Sequence, residues 1–165
     1  MSALEPSQVK ELLNKNWMTH DAMWFFHCMQ KLGMDETNQL NLAAVRSMAQ
    51  IEAKRLAQAL GLESISSPED LRRFVEGTFS VAKADFMDFT YEFLPDGSLR
   101  MNMGECFAHQ GMQRLGVLDA YRCGIYLRVD TWLSTLGVKY EAGPAFEGCL
   151  KQQQGECSRT YHFNW

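Results

Sequence analysis

Over roughly the first eighty positions the apolar residues recur at three- and four-residue spacing, which is the period of a helix. Pro6 stands at a helix start that leads into Gln8–Asn14. Thr19 reads as an N-cap, with Asp21 in the first turn of a second helix. Ala22, Met23, Trp24, Phe25, Phe26, Cys28, Met29 and Leu32 make that helix apolar almost all round, so it is predicted to be buried on most of its surface. A third helix is predicted from Asp35 to Leu60, stopped by Gly61, with Leu40, Ala44, Val45, Met48, Ile51, Leu56 and Leu60 marking its inner face. Ser67-Pro68-Glu69-Asp70 combines a cap, a proline at N1 and two acids, and predicts a fourth helix to about Gly77.

Beyond Asp85 the period changes to two. Phe86, Asp88, Thr90 and Glu92 alternate with Met87, Phe89, Tyr91 and Phe93, a strand pattern from Asp85 to Phe93. Pro95-Asp96-Gly97-Ser98 carries hairpin-turn chemistry, and Leu99, Met101 and Met103 alternate on the return strand. A short helix over Phe107–Leu115, a longer one over Ala120–Leu136 and two closing strands at about Val138–Glu147 and Cys157–Trp165 complete the reading. The predicted fold class is α+β in one domain, residues 1–165. Its helical part, 1–80, packs on a roughly four-stranded antiparallel sheet with further helices in 81–165.

Composition narrows the classes of function. The chain is 46% hydrophobic with 12% aromatics, enough to build a core. Its net charge of −4, with basic residues scattered, excludes a general nucleic-acid binder. The N-terminus has neither a basic region nor an apolar run of the secretory kind, and no run approaches the ~20 apolar residues of a membrane span, so a soluble cytoplasmic protein is expected. No phosphate loop, dinucleotide fingerprint, serine elbow or His-Glu-x-x-His helix occurs, so neither a nucleotide nor a flavin is expected.

Four of five cysteines fall in the last sixty residues: Cys106, Cys123, Cys149 and Cys157. In a reducing compartment clustered cysteines are more often metal ligands or reactive thiols than structural disulfides. Four thiolates suit a closed tetrahedral site for zinc or iron. The tight C-x2-C pair of a zinc knuckle is absent, so the tertiary fold has to bring these four together; otherwise they are thiols that only pack. His109, three after Cys106, is a compatible further ligand.

The residues Glu105-Cys106, Tyr121-Arg122-Cys123-Gly124, Gly148-Cys149 and Gly155-Glu156-Cys157, closing on Tyr161-His162-Phe163, together carry a resemblance. So do Trp17-Met18-Thr19-His20-Asp21-Ala22-Met23-Trp24 and Ile51-Glu52-Ala53-Lys54-Arg55. With these stretches the chain resembles an uncharacterised bacterial family described as related to the L-2-amino-thiazoline-4-carboxylic acid hydrolases. Its ending is also similar to the vinyl-4-reductase domain, an α+β fold shared with haem-NO-binding and Golgi-tethering proteins. The first resemblance implies ring-opening hydrolysis of a cyclic thioimidate or amidine. The second implies a fold that binds a small molecule and in which cysteines can hold a metal.

A second polar constellation lies in the helical part. His20 and His27 are seven apart, with Asp21 and Trp24 close by, and Glu52 and Arg55 are three apart on the next long helix. If those helices pack together, His20, Asp21, Trp24, Glu52 and Arg55 line a cavity where Arg55 binds a carboxylate and His20 or Glu52 activates water. The plainer alternative pairs Glu52 with Arg55 on the helix surface. The sequence therefore supports a cytoplasmic protein that binds a small molecule or a metal through the cysteines. A hydrolase using the helical cluster and a non-catalytic homodimeric module are the alternatives.

Overall fold

A computed structural model describes residues 4–165. The N-terminal half is a helical hairpin. Helix α1, Pro6–Leu32, opens with a capping box between Glu5 and Gln8 and with Pro6 in its first turn. It runs through Thr19 without a break. That corrects the predicted boundary: with no glycine or proline until Gly33, a lone threonine costs too little to end a helix. Gly33, at φ 83°, turns the chain, its N–H donating to the Met29 carbonyl at 2.9 Å. Helix α2, Met34–Ala59, returns beside α1.

The expected burial of the 22–32 stretch is also corrected. Phe25 is its only buried residue, while Met23 and Trp24 are 50% and 64% exposed. Helix α1 sits at the margin of the molecule against α2, so a single flank meets the protein. The inner face of α2 differs from the expected one as well. Ala49, Ala53 and Ala57 are buried, whereas Leu40 and Ile51 are exposed. Small residues four apart let α5, Ile125–Thr135, approach α2 closely, and this is the principal contact of α2.

Helix α3, Pro68–Ala82, is capped by Ser67, whose Oγ accepts from the Asp70 N–H at 3.1 Å. It continues past Gly77 to Ala82, and Leu60 packs where a side chain at 77 would stand. Strands β1, Phe89–Phe93, β2, Leu99–Met103, β3, Tyr140–Gly143, and β4, Cys157–Phe163, form one antiparallel sheet in the order β1-β2-β4-β3. The expected α+β fold with a four-stranded antiparallel sheet is thus present. Strand β1 starts at Phe89 and not at Asp85, since the Met87 N–H closes a turn onto the Ala84 carbonyl at 3.0 Å.

Helix α4, Phe107–Arg114, follows β2, and a short 3-10 turn spans Leu118–Ala120. Helix α5 begins at Ile125 and not at Ala120. Asn38 explains the delay: its amide donates to the Ala120 carbonyl at 2.7 Å and accepts from the Arg122 N–H at 3.0 Å, holding 120–122 extended or turned. A short helix α6, Leu150–Gln154, lies between the two closing strands, where the hydrophobic pattern predicts no element. One core joins Ala49 and Ala53 of α2, Phe74 of α3, Leu99, Met101 and Tyr161 of the sheet, and Tyr126 and Leu133 of α5. Among the described residues no helix is long and apolar enough to cross a membrane.

Candidate functional site

Each cysteine of the late group stands at the edge of a regular element. Cys106 leaves β2 and is the N-cap residue of α4. Cys123 precedes Gly124, the N-cap of α5, Cys149 is the N-cap of α6, and Cys157 opens β4. The register of the sheet sets Cys157 opposite Met103, three residues before Cys106. The Cys123 N–H donates to the Gly148 carbonyl at 3.1 Å, which lays the segment before α5 against the one before α6. Gly148 sits at φ 89°, and a Cβ there would lie 3.2 Å from the Tyr121 carbonyl oxygen. Glycine is required at this crossing.

The four thiols share one environment. The charge of Cys149 raises Cys106; those of Cys106, Cys149 and Cys157 raise Cys123; those of Cys106 and Cys149 raise Cys157. Every pairing within the group is represented. Burial is the larger cause in each case and pushes the Cys123 thiol up to about 12. The amides of Ala108 and His109 at the start of α4 act the other way on Cys106, and the Ile125 amide does so on Cys123. Lys151 also lowers Cys106 and Cys157, with its Nζ fixed on the Gly104 carbonyl at 2.6 Å. The Tyr126 hydroxyl lies 3.7 Å from the Cys157 Sγ and within 3.2 Å of the Cys157 carbonyl. All five cysteines are free thiols, with Cys28 apart on α1. As the side chains stand, no three His, Cys, Asp or Glu residues among those described are in an arrangement that holds a metal ion.

A recess of about 290 Å³ adjoins Cys157, lined by Asp88, Asn102, Met103, Glu156 and Ser158 among others. The Asp88 carboxylate accepts from the Glu105 N–H at 2.6 Å, beside Cys106.

The helical constellation is arranged differently from its reading in the sequence. Glu52 turns to Arg128 of α5 and not to Arg55. Arg128 Nε and Nη2 donate to its two oxygens at 2.8 and 2.5 Å, and Trp132 Nε1 donates at 2.8 Å. The Arg128 guanidinium lies over both the Trp17 and Trp132 rings, at 5.1 and 5.0 Å from their centroids. Arg55, His20 and Trp24 are exposed. Asp21 is the member that shares this environment: burial raises its carboxyl, opposed by His20 and by Arg128. Glu52, Arg128 and Trp17 border an apolar groove of about 470 Å³ between α1 and the end of α3. Arg128 and Trp132 escape sequence reading because their partner lies 76 or 80 positions away. Lys151 offered one signal, its place two residues after Cys149.

Residues 4–126, about three quarters of the chain, match a family of unknown function, DUF6125. The chain belongs to that family. Cys106 and Cys123 lie inside the matched residues, and Cys149 and Cys157 beyond them. No curated protein and no solved structure matches the chain.

Proposed function

We propose that this member of the family binds one thiophilic divalent metal ion, of which zinc is the representative, through Cys106, Cys123, Cys149 and Cys157. What supports the reading is backbone geometry: the β2–β4 register sets Cys157 beside the strand end that leads to Cys106, and the Cys123 N–H bond to the Gly148 carbonyl sets Cys123 beside Cys149. Four cysteines free of disulfides are a donor set that suits a closed structural site. The residues fit such an ion in a second respect. Amides at the starts of α4 and α5 favour the thiolate of Cys106 and of Cys123, and Lys151 offsets part of the negative charge that four thiolates carry. Ligation requires the thiols to move, since no three His, Cys, Asp or Glu side chains among the described residues stand in an arrangement that holds an ion.

The ion would tie together the end of β2, the start of α5, the start of α6 and the start of β4. With four thiolates around it no position stays open for water, so the role is structural or regulatory. We do not extend the proposal to hydrolysis of a thioimidate. Of the two bases that chemistry would recruit, Glu52 already accepts three hydrogen bonds and His20 is exposed, as is Arg55.

The test is titration of the metal-free protein with cobalt(II). Thiolate-to-cobalt charge-transfer absorption that saturates at one equivalent supports the reading, as does its weakening in Cys123→Ser and in Cys149→Ser. A cobalt spectrum with no thiolate band overturns it.

A further inference from the structure

The outer face of α1 breaks the usual rule for a surface helix. Val9, Leu12, Leu13, Trp17, Met23 and Trp24 are 40%, 46%, 64%, 42%, 50% and 64% exposed. At 3.6 residues per turn they fall on one arc, and the residues among them, Asn16, His20 and His27, include no lysine, arginine or acid. The charged residues of this stretch, Lys10, Glu11, Lys15 and Asp21, project outside that arc. A helix face meant for water carries its charges outward; this one turns them aside.

We propose that this face is the interface of a homodimer, with α1 packed antiparallel against α1 of a second copy of the chain. Three observations choose a second copy over another occupant. The first is area. Large side chains of this kind bury about 150–250 Å² each, so at these exposures the six present roughly 600 Å² of apolar surface. That is the upper limit for a monomer's largest patch, and with the adjoining Asn16, His20 and His27 it approaches the ~800 Å² per partner of a standard interface.

The second is symmetry. Leu13, Trp17, His20 and Trp24 follow one another at spacings of four, three and four, which read the same in both directions. A two-fold axis crossing α1 between Met18 and Thr19 therefore sets Trp24 against the partner's Leu13 and Trp17 against the partner's His20. Both contacts occur twice, as an isologous interface requires. Leu13 and Trp17 border the groove of about 470 Å³, which gives each Trp24 ring a recess on the other copy. The third is charge. A lipid surface would call for a basic fringe along the apolar face, and the chain carries −4 overall with Lys10 and Lys15 the only lysines or arginines between Val9 and His27.

The experiment is sedimentation equilibrium of the full chain over a concentration series, for the wild type, Leu13→Lys, Trp24→Glu and the double variant. The wild type is expected to dimerise and each single variant to weaken the dimer at least tenfold. In the double variant the introduced base meets the introduced acid of the other copy, twice over, and the dimer is expected to be at least tenfold tighter than in either single. All four should keep the wild-type melting profile at a concentration where each is monomeric, because both positions are exposed in one copy. A wild type monomeric at 100 µM overturns the proposal. So does a dimer that both single variants leave unchanged, or a monomer that instead binds phosphatidylcholine–phosphatidylglycerol vesicles.

Discussion

Glu52 of α2 and Arg128 of α5 form a two-bond ion pair, at 2.8 and 2.5 Å, on the seam where the helical half meets the rest of the fold. Their side chains are about one-fifth exposed, 22% and 20%, so the pair is only partly screened. The Trp132 indole donates to the same carboxylate, and the guanidinium is stacked between two tryptophans. Removing the acid leaves both an arginine and an indole N–H without their acceptor. Glu52→Ala is expected to cost about 2 kcal/mol, below the usual cost of breaking a fully buried pair because of the residual exposure. Glu52→Gln keeps an acceptor for Trp132 and should cost less. Chemical denaturation of the two variants and of Arg128→Ala measures this, and a loss under about 0.5 kcal/mol in Glu52→Ala would place the pair among ordinary surface bridges.

A second expectation concerns the crossing at Gly148. Alanine there meets both a left-handed backbone, φ 89°, and the Tyr121 carbonyl at 3.2 Å. Gly148→Ala should cost more than about 1 kcal/mol. It should also weaken metal binding, since the displaced strand of chain carries Cys149. Gly116→Ala, at φ 70° with open space around it, is the control: it tests backbone strain without the steric clash.

The thiols give the metal-free protein a characteristic pH dependence. Burial raises Cys123 from 9.0 to about 12, so the folded state holds that proton more tightly than the unfolded chain does. Stability from this group is complete below pH 9 and is lost as pH climbs from 9 toward 12. Tyr140, raised from 10.0 to about 12 by burial and by Asp130, adds to the loss over the upper part of that window. Melting temperatures of the metal-free protein should therefore fall steadily above pH 9. Cys123→Ala should flatten the first part of the decline. A flat profile from pH 9 to 11 in the unaltered protein would contradict the burial of this thiol.

The same shifts fix the proton balance of metal uptake. Cys106, Cys123 and Cys157 are all raised and hence protonated at neutral pH, so an ion that takes their thiolates has to expel their protons. Calorimetry in buffers of different ionisation enthalpy should report release of at least three protons per ion at pH 7. Release of one proton or none would mean that the ion is held elsewhere.

The sheet was readable from the sequence where turn chemistry framed it. Pro95-Asp96-Gly97-Ser98 closes the hairpin as expected, with the Leu94 N–H on the Ser98 carbonyl at 2.8 Å, and β2 has the predicted limits. Side-chain size misled the reading of α2. Leucine and isoleucine look like core, yet the close approach of α5 selects Ala49, Ala53 and Ala57. Helix α6 has no signature in the sequence, since its five residues, three of them glutamines, carry no periodic signal. The positions of the four late cysteines were visible, and their common neighbourhood was not, since it depends on the β2–β4 register and on the contact between Cys123 and Gly148. The partner of Glu52 was beyond local reading for the same reason: nothing in α2 points to a residue 76 positions on.

Elemental analysis of the protein purified without chelator, combined with titration of the thiols of the native protein by a mercurial while released metal is followed, tests the four-cysteine site. The expected result is one equivalent of zinc or iron per chain, released as four thiols react, and five thiols in all on titration in denaturant. No bound metal, together with five freely reactive thiols from the start and no uptake of added zinc, would rule out the site and leave the cysteines as packing groups.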